Sequence, residues 1–185
     1  MERYDPESIL IERIKEGDER AFEELVNRYK GMGFSLAYRF LGNPEDARDI
    51  SQEAFARVYL YIKDFRGEST FKTWFFRIII NLCHRSISGR QRRAIQSLDL
   101  YMEKEMDPQA QEDVEAEVKQ KELKAAIEGA VMGLPVKQRE VFIMKHMEGM
   151  KISEISEVLN CAEGTVKIHL FRAVRALQER LKGWR

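Results

Sequence analysis

The sequence predicts an all-α fold: two small helical domains joined by an acidic linker, the second containing a helix-turn-helix. Three observations carry that expectation. Only three threonines and four prolines stand among 185 residues otherwise rich in Glu, Lys, Arg, Ala, Leu and Met, the side chains that helices accommodate best. Apolar residues recur at three-to-four spacing along most of the chain. That periodicity lapses once, over residues 94–112, where acids gather instead. With 44% apolar residues there is material for real cores, which excludes wholesale disorder.

The elements follow in order. Asp5-Pro6-Glu7 supplies an N-cap, a proline at the first helical position and an acid in the first turn, and Gly17 stops that short helix. Asp18 restarts the chain, and Phe22, Leu25, Val26, Tyr29, Met32, Leu36 and Phe40 form a stripe up to Gly42, with Gly31 and Gly33 expected to weaken its middle. Asn43-Pro44-Glu45-Asp46 caps a third helix that should reach Phe65. Arg66-Gly67-Glu68-Ser69 breaks the pattern, and Phe71, Trp74, Phe75, Ile78 and Leu82 resume it as far as Gly89. These four helices make a first domain over residues 1–93, followed by the linker over 94–112. Fully extended, such a linker could span roughly 65 Å at ~3.3 Å per residue. A second domain, 113–185, holds a helix through Val118, Leu123, Ile127 and Val131, a stop at Gly133-Leu134-Pro135 and a helix from Val136 to Met147. After Gly149 come a short helix, Ile152 to Leu159, a turn at Asn160-Cys161-Ala162, and a long helix from Glu163 to Leu181.

No apolar run approaches the ~20 residues a spanning helix needs, so no stable membrane insertion is expected. Cys83 and Cys161 lie apart without CxxC spacing, which fits a reducing cytoplasm and offers neither a disulfide framework nor a zinc site. Cys83 and His84, adjacent on a helix, point to different faces, and no metal or other cofactor is expected. No Ser/His/Asp set or phosphate loop appears among the three scattered histidines, so the chain reads as no enzyme.

The net charge of zero hides an uneven distribution. Residues 1–93 carry 17 bases and 15 acids, 94–129 carry 4 and 10, and 130–185 carry 10 and 6. Phe71 to Arg93 holds six bases and no acid. Two basic segments flanking an acidic middle suit a two-site nucleic-acid binder. The last helix carries the sharper signal. Val166, Leu170, Ala173 and Leu177 define its inner stripe, which leaves Thr165, Lys167, Ile168, His169, Phe171, Arg172 and Arg175 for phosphates, base edges and thymine methyls in a major groove.

Two regions independently resemble one family. In the first half they are Gly17-Asp18, Ala21-Phe22, Leu25-Val26, Arg28-Tyr29, Asp46-Ala47 with Asp49 to Phe55, Phe65-Arg66-Gly67 and Phe71 to Ile78. In the second half they are Leu134-Pro135, Gln138 to Phe142, Glu154-Ile155, and Gly164 to Lys167 with Leu170 and Arg172-Ala173. In this order and spacing the chain resembles the bacterial extracytoplasmic-function sigma factors, RNA polymerase subunits that keep only sigma regions 2 and 4.

The resemblance implies that the chain binds core RNA polymerase, through its β′ and β subunits, and directs promoter-specific initiation, with an anti-sigma factor as a further partner. It assigns Asp46, Asp49, Gln52, Glu53 and Arg57 to a ridge docked on a β′ coiled coil. It assigns Arg66, Glu68, Ser69, Thr70, Lys72, Phe76, Arg77 and Asn81 to recognition of the minus-ten element, where a flipped base would be held. The seven residues of the last helix fall to the minus-thirty-five element. Ile168 and His169 depart from the family pattern, which has a small polar residue and an arginine there, and Lys151 stands where a capping Ser or Thr is usual. The alternative from residues alone is a stand-alone helix-turn-helix regulator binding an operator, which leaves the aromatic and basic first domain without a role.

Overall fold

A computed structural model describes residues 6–96 and 115–182, so the cap residue Asp5 and nearly all of the acidic linker lie outside the described residues. Among the described residues there are helices and turns and no strand. The first domain consists of α1 (Pro6–Lys15), α2 (Glu19–Leu41), α3 (Pro44–Tyr61) and α4 (Phe71–Gln96), with a 3₁₀ turn over Ile62–Asp64. The second consists of α5 (Glu115–Met132), α6 (Val136–Phe142), α7 (Ile152–Leu159) and α8 (Glu163–Arg180).

Local chemistry sets the breaks. The Asn43 side chain accepts from the amides of Glu45 and Asp46 at 2.9 and 3.1 Å, satisfying two donors that α3 cannot pair internally. Asp18 caps α2 through the Ala21 amide; that hydrogen bond and the Arg13 guanidinium hold its carboxyl below the usual range. Gly42, at φ +69°, ends α2 in the left-handed region that glycine adopts without strain. Two expectations need correction. Gly89 does not stop α4, which runs on to Gln96, because a lone glycine costs a helix only about 1 kcal/mol and no proline follows it. The helix expected from Val136 to Met147 ends at Phe142, and Ile143–Met147 is a π turn that places both Ile143 and Met144 in the core.

The first core lies where α2, α3 and α4 meet, with Leu25, Leu36 and Phe40 enclosed against Ala54, Val58, Phe71, Phe75 and Ile79. Gly33 is there for its size rather than as a weak point. A Cβ at that position would stand 3.0 Å from the Phe75 ring and 3.2 Å from Ser51 Oγ. Gly33→Val should therefore destabilise the domain by about 1–3 kcal/mol through overpacking. Exposed Gly31, with no atom within 4 Å of such a Cβ, should accept Ala with a gain of roughly 0.5–1 kcal/mol. Urea unfolding of the two variants checks the contrast; equal midpoints would mean that α2 does not approach α4 this closely.

In the second domain α8 packs on α6 and α7. Asn160, at φ +48°, turns the chain between α7 and α8. The two domains meet along α4 and α7.

Candidate nucleic-acid interface

Val166, Ala173 and Leu177 anchor α8 in the core and fix which side faces out. Thr165, Lys167, Ile168, Phe171, Arg172 and Arg175 are all exposed, with Ile168 and Phe171 at 53% and 63%. Arg175 lies 6.0 Å from the Phe171 ring centre, and Lys167 is 3.8 Å from Glu163 one turn back. The face thus alternates cations with apolar tips. His169 is the exception: it is half-buried, with Nδ1 enclosed and unpartnered, because it sits one turn past Val166 on the edge of the inner stripe. At the head of α7 the Lys151 amide donates to Glu154 at 2.7 Å, so the acid half of a capping box works where the usual hydroxyl is missing.

The residues expected at the minus-ten element come together at the loop before α4 and along its first turns. Arg66, Glu68 and Thr70 are exposed, and the Thr70 hydroxyl accepts from the Thr73 amide at 3.2 Å, capping α4. Lys72 donates to the Glu148 carbonyl at 2.9 Å and stands 5.2 Å from the Phe76 ring centre. Half-buried Arg77 and exposed Asn81 follow along α4, with Arg77 Nε enclosed and unpartnered. Phe76 does not belong to this surface. It is fully buried, because α2, α3 and α7 all pack on α4 and cover more than the one inner stripe.

On α3, Ala47, Ser51, Ala54, Phe55 and Val58 are buried. Asp49, Gln52 and Glu53 are exposed along the other side, with Asp46 and Arg57 half-buried at its margins. Arg57 Nε donates to Glu53 at 2.8 Å. The ridge continues, at the same helical spacing, into Leu60, which is 68% exposed. An exposed leucine closing a charged row is a feature that residue-type reasoning missed; the signal was the step of three from Arg57.

The sequence matches Sigma-70 region 2 over residues 25–93 and Sigma-70 region 4 over residues 124–177. It is 33% identical to RNA polymerase sigma-H factor of Pseudomonas aeruginosa, over 94% of this chain and 92% of that protein. It is 34% identical to ECF RNA polymerase sigma factor SigW of Bacillus subtilis, over 93% and 95%. This chain belongs to the extracytoplasmic-function group of the sigma-70 family. Among solved structures, this sigma factor is similar to CnrH in complex with the cytosolic domain of CnrY, with a TM-score of 0.70 and 26% identity over 97% of this chain and 99% of that one. The same fold occurs in sigma factor RpoE in complex with the anti-sigma factor NepR from Bartonella quintana, with a TM-score of 0.70 at 22% identity over 87% and 96%.

Cys83 and His84 separate as their adjacency requires. Cys83 is fully buried, and burial, with the Glu140 charge adding to it, pushes its thiol from 9.0 up to about 12. His84 turns instead to Glu140 of the second domain. Among the described residues no group of three or more His, Cys, Asp or Glu comes together to hold a metal. The folded sigma factor keeps the Cys83 proton at pH values where an unfolded thiol loses it. Its contribution to stability is therefore complete below pH 9 and declines as pH rises toward about 12. Alkylation at pH 8 followed by peptide mapping should label half-buried Cys161 well before Cys83; equal rates would contradict the burial.

Proposed function

We infer that this sigma factor binds core RNA polymerase and directs it to promoters whose minus-ten and minus-thirty-five elements it reads with its two domains. The reading is supported most by one observation. The outward face of α8 carries Lys167, Arg172 and Arg175 around Ile168 and Phe171 with no acid between residues 164 and 178, directly after a helix-turn-helix bend. Such a face complements phosphates, guanine edges and thymine methyls at once. Membership of the sigma-70 family joins this to the first domain. There the α3 ridge is the polymerase-docking surface, and Arg66, Glu68, Ser69, Thr70, Lys72, Arg77 and Asn81 are the minus-ten surface. The protein works by positioning rather than by covalent chemistry, in the bacterial cytoplasm. Similarity to sigma factors solved with CnrY and with the anti-sigma factor NepR supports an anti-sigma partner here. No helix among the described residues is long and apolar enough to cross a membrane.

Co-elution with core polymerase, followed by run-off transcription from genomic promoter fragments, tests the reading. Failure to bind core would leave only an operator-binding regulator. Within the holoenzyme, Arg172→Ala should lose roughly 1–3 kcal/mol at promoters with a good upstream element, while Lys167→Ala should weaken all sequences alike and flatten the salt dependence. Unaltered transcription in both variants would remove α8 from the groove.

A further inference from the structure

Arg77, Asn81 and His84 follow one another along α4 at steps of four and three, so they share one face of that helix. That face meets Lys137 of α6, Leu159 of α7 and Asn160 of the bend before α8 around a cavity of about 500 Å³. Sites for small molecules run from about 300 to 1,000 Å³, so the space suits a ligand of nucleotide size. No acid lines it. Arg77 and Lys137 bring two permanent positive charges to its walls, and His84 a third when protonated. One carboxylate lies behind them. Glu140 is completely enclosed, pairs with His84 and stands 3.2 Å from Lys137, so it offsets one charge and leaves the cavity basic.

Arg77 has donors to spare. Glu68 and Glu157 line a neighbouring cleft with it, yet its side chain makes no hydrogen bond or ion pair among the described residues, and its Nε is enclosed without an acceptor. Enclosed donors are nearly always satisfied, so this one calls for an acceptor from outside the chain. The Lys137 side chain is 57% exposed, and its ammonium keeps donors beyond the one it gives Glu140. A planar guanidinium beside a flexible ammonium is the combination that recognises phosphate. The amides of Asn81 and Asn160 each donate and accept, as sugar hydroxyls and base edges require, and Leu159 offers an apolar side between them.

We propose that this cavity binds a small phosphorylated molecule of nucleotide size, its phosphate between Arg77 and Lys137 and its remaining part against Asn81, Leu159 and Asn160. Such a ligand touches both domains at once. Arg77 and Asn81 also belong to the minus-ten assignment, but the site stands on the cavity and its charges alone, and direct binding tests it without promoter or polymerase.

Isothermal titration of the full-length protein with ADP, GDP, pyrophosphate and adenosine reads the site, at about 0.15 M salt where loose surface pairing is screened. ADP or GDP should bind at one per chain, more tightly than pyrophosphate or adenosine, which each fill only part of the cavity. Lys137→Met and Arg77→Met keep much of the aliphatic stem and remove the charge. Each should weaken nucleotide binding at least about tenfold, the loss expected of one charge-assisted hydrogen bond. Lys137 is exposed and lies on neither the DNA nor the polymerase surface, so its variant carries the test should Arg77→Met not fold. Lys167→Ala with Arg172→Ala on α8 should leave nucleotide binding unchanged. Absence of saturable binding by both nucleotides would overturn the proposal, as would pyrophosphate binding as tightly as either of them. Nucleotide binding that Lys137→Met leaves intact, or that the α8 variant abolishes, would also overturn it, the second result placing the phosphate on the recognition face.

Discussion

Phe75→Ala is expected to cost the first domain about 3–5 kcal/mol, the range for emptying a closed aromatic site. The ring is fully buried where three helices converge. Its centre lies 4.8 Å from that of Phe55, 5.8 Å from those of Tyr29 and Phe71, and 6.5 Å from that of Phe76. Gly33 lies against its tip. Collapse into the vacancy would require α2, α3 and α4 to shift together, so little of the cavity can be recovered. Small domains hold about 5–15 kcal/mol in all, so the loss takes a large share of the total. Urea unfolding in a Trp184→Phe background, which leaves Trp74 as the sole tryptophan, reads this domain directly. A midpoint shift worth less than about 1 kcal/mol, below the range for truncating a large core side chain to alanine, would show that the ring is not enclosed by three elements.

The same cluster shows where the sequence was legible. Caps are local, so Asn43 could be read from four residues and bonds as expected, and Asp18, read as the point where the chain restarts, caps α2. The helix-turn-helix was legible for the same reason, since the inner stripe of α8 and the bend at Asn160 are encoded within about twenty residues. The seam between domains was not. His84 and Glu140 are 56 residues apart, and Arg39 and Glu148 are 109 apart, so no local spacing marks either pair. One signal was available in α4. From Trp74 to Cys83 only Arg77 and Asn81 interrupt an otherwise apolar run, and a helix apolar all round is covered on more than one side. Reading that helix as having a single buried stripe is what put Phe76 on the surface. The π turn after Phe142 was illegible because its register is chosen by packing Ile143 and Met144 into the core rather than by any breaker residue.

Charge reversal on the α3 ridge, Asp49→Lys with Glu53→Lys, should weaken core polymerase binding at least about 100-fold, or roughly 2.7 kcal/mol. Both carboxylates are exposed and point away from the domain core, so the substitutions leave packing intact. Among the described residues the internal loss is the Glu53 to Arg57 pair on the helix surface, which is worth a few tenths of a kcal/mol, about 0.3–0.5. The large effect comes from the partner. A partner surface complementary to these acids meets two lysines instead and suffers like-charge juxtaposition, which costs several kcal/mol across an interface. The neutral variant Asp49→Asn with Glu53→Gln separates these contributions. It should bind core only modestly more weakly and should lose much of the salt dependence of association, because steering between exposed charges is what salt screens. Leu60→Ser tests the apolar end of the ridge, where affinity should fall with no change in salt dependence. Holoenzyme assembly followed by fluorescence titration at two salt concentrations reads all three. If the lysine variant assembles with core as the wild type does while its helical content is unchanged, the ridge is a solvated face and polymerase docks elsewhere on the first domain.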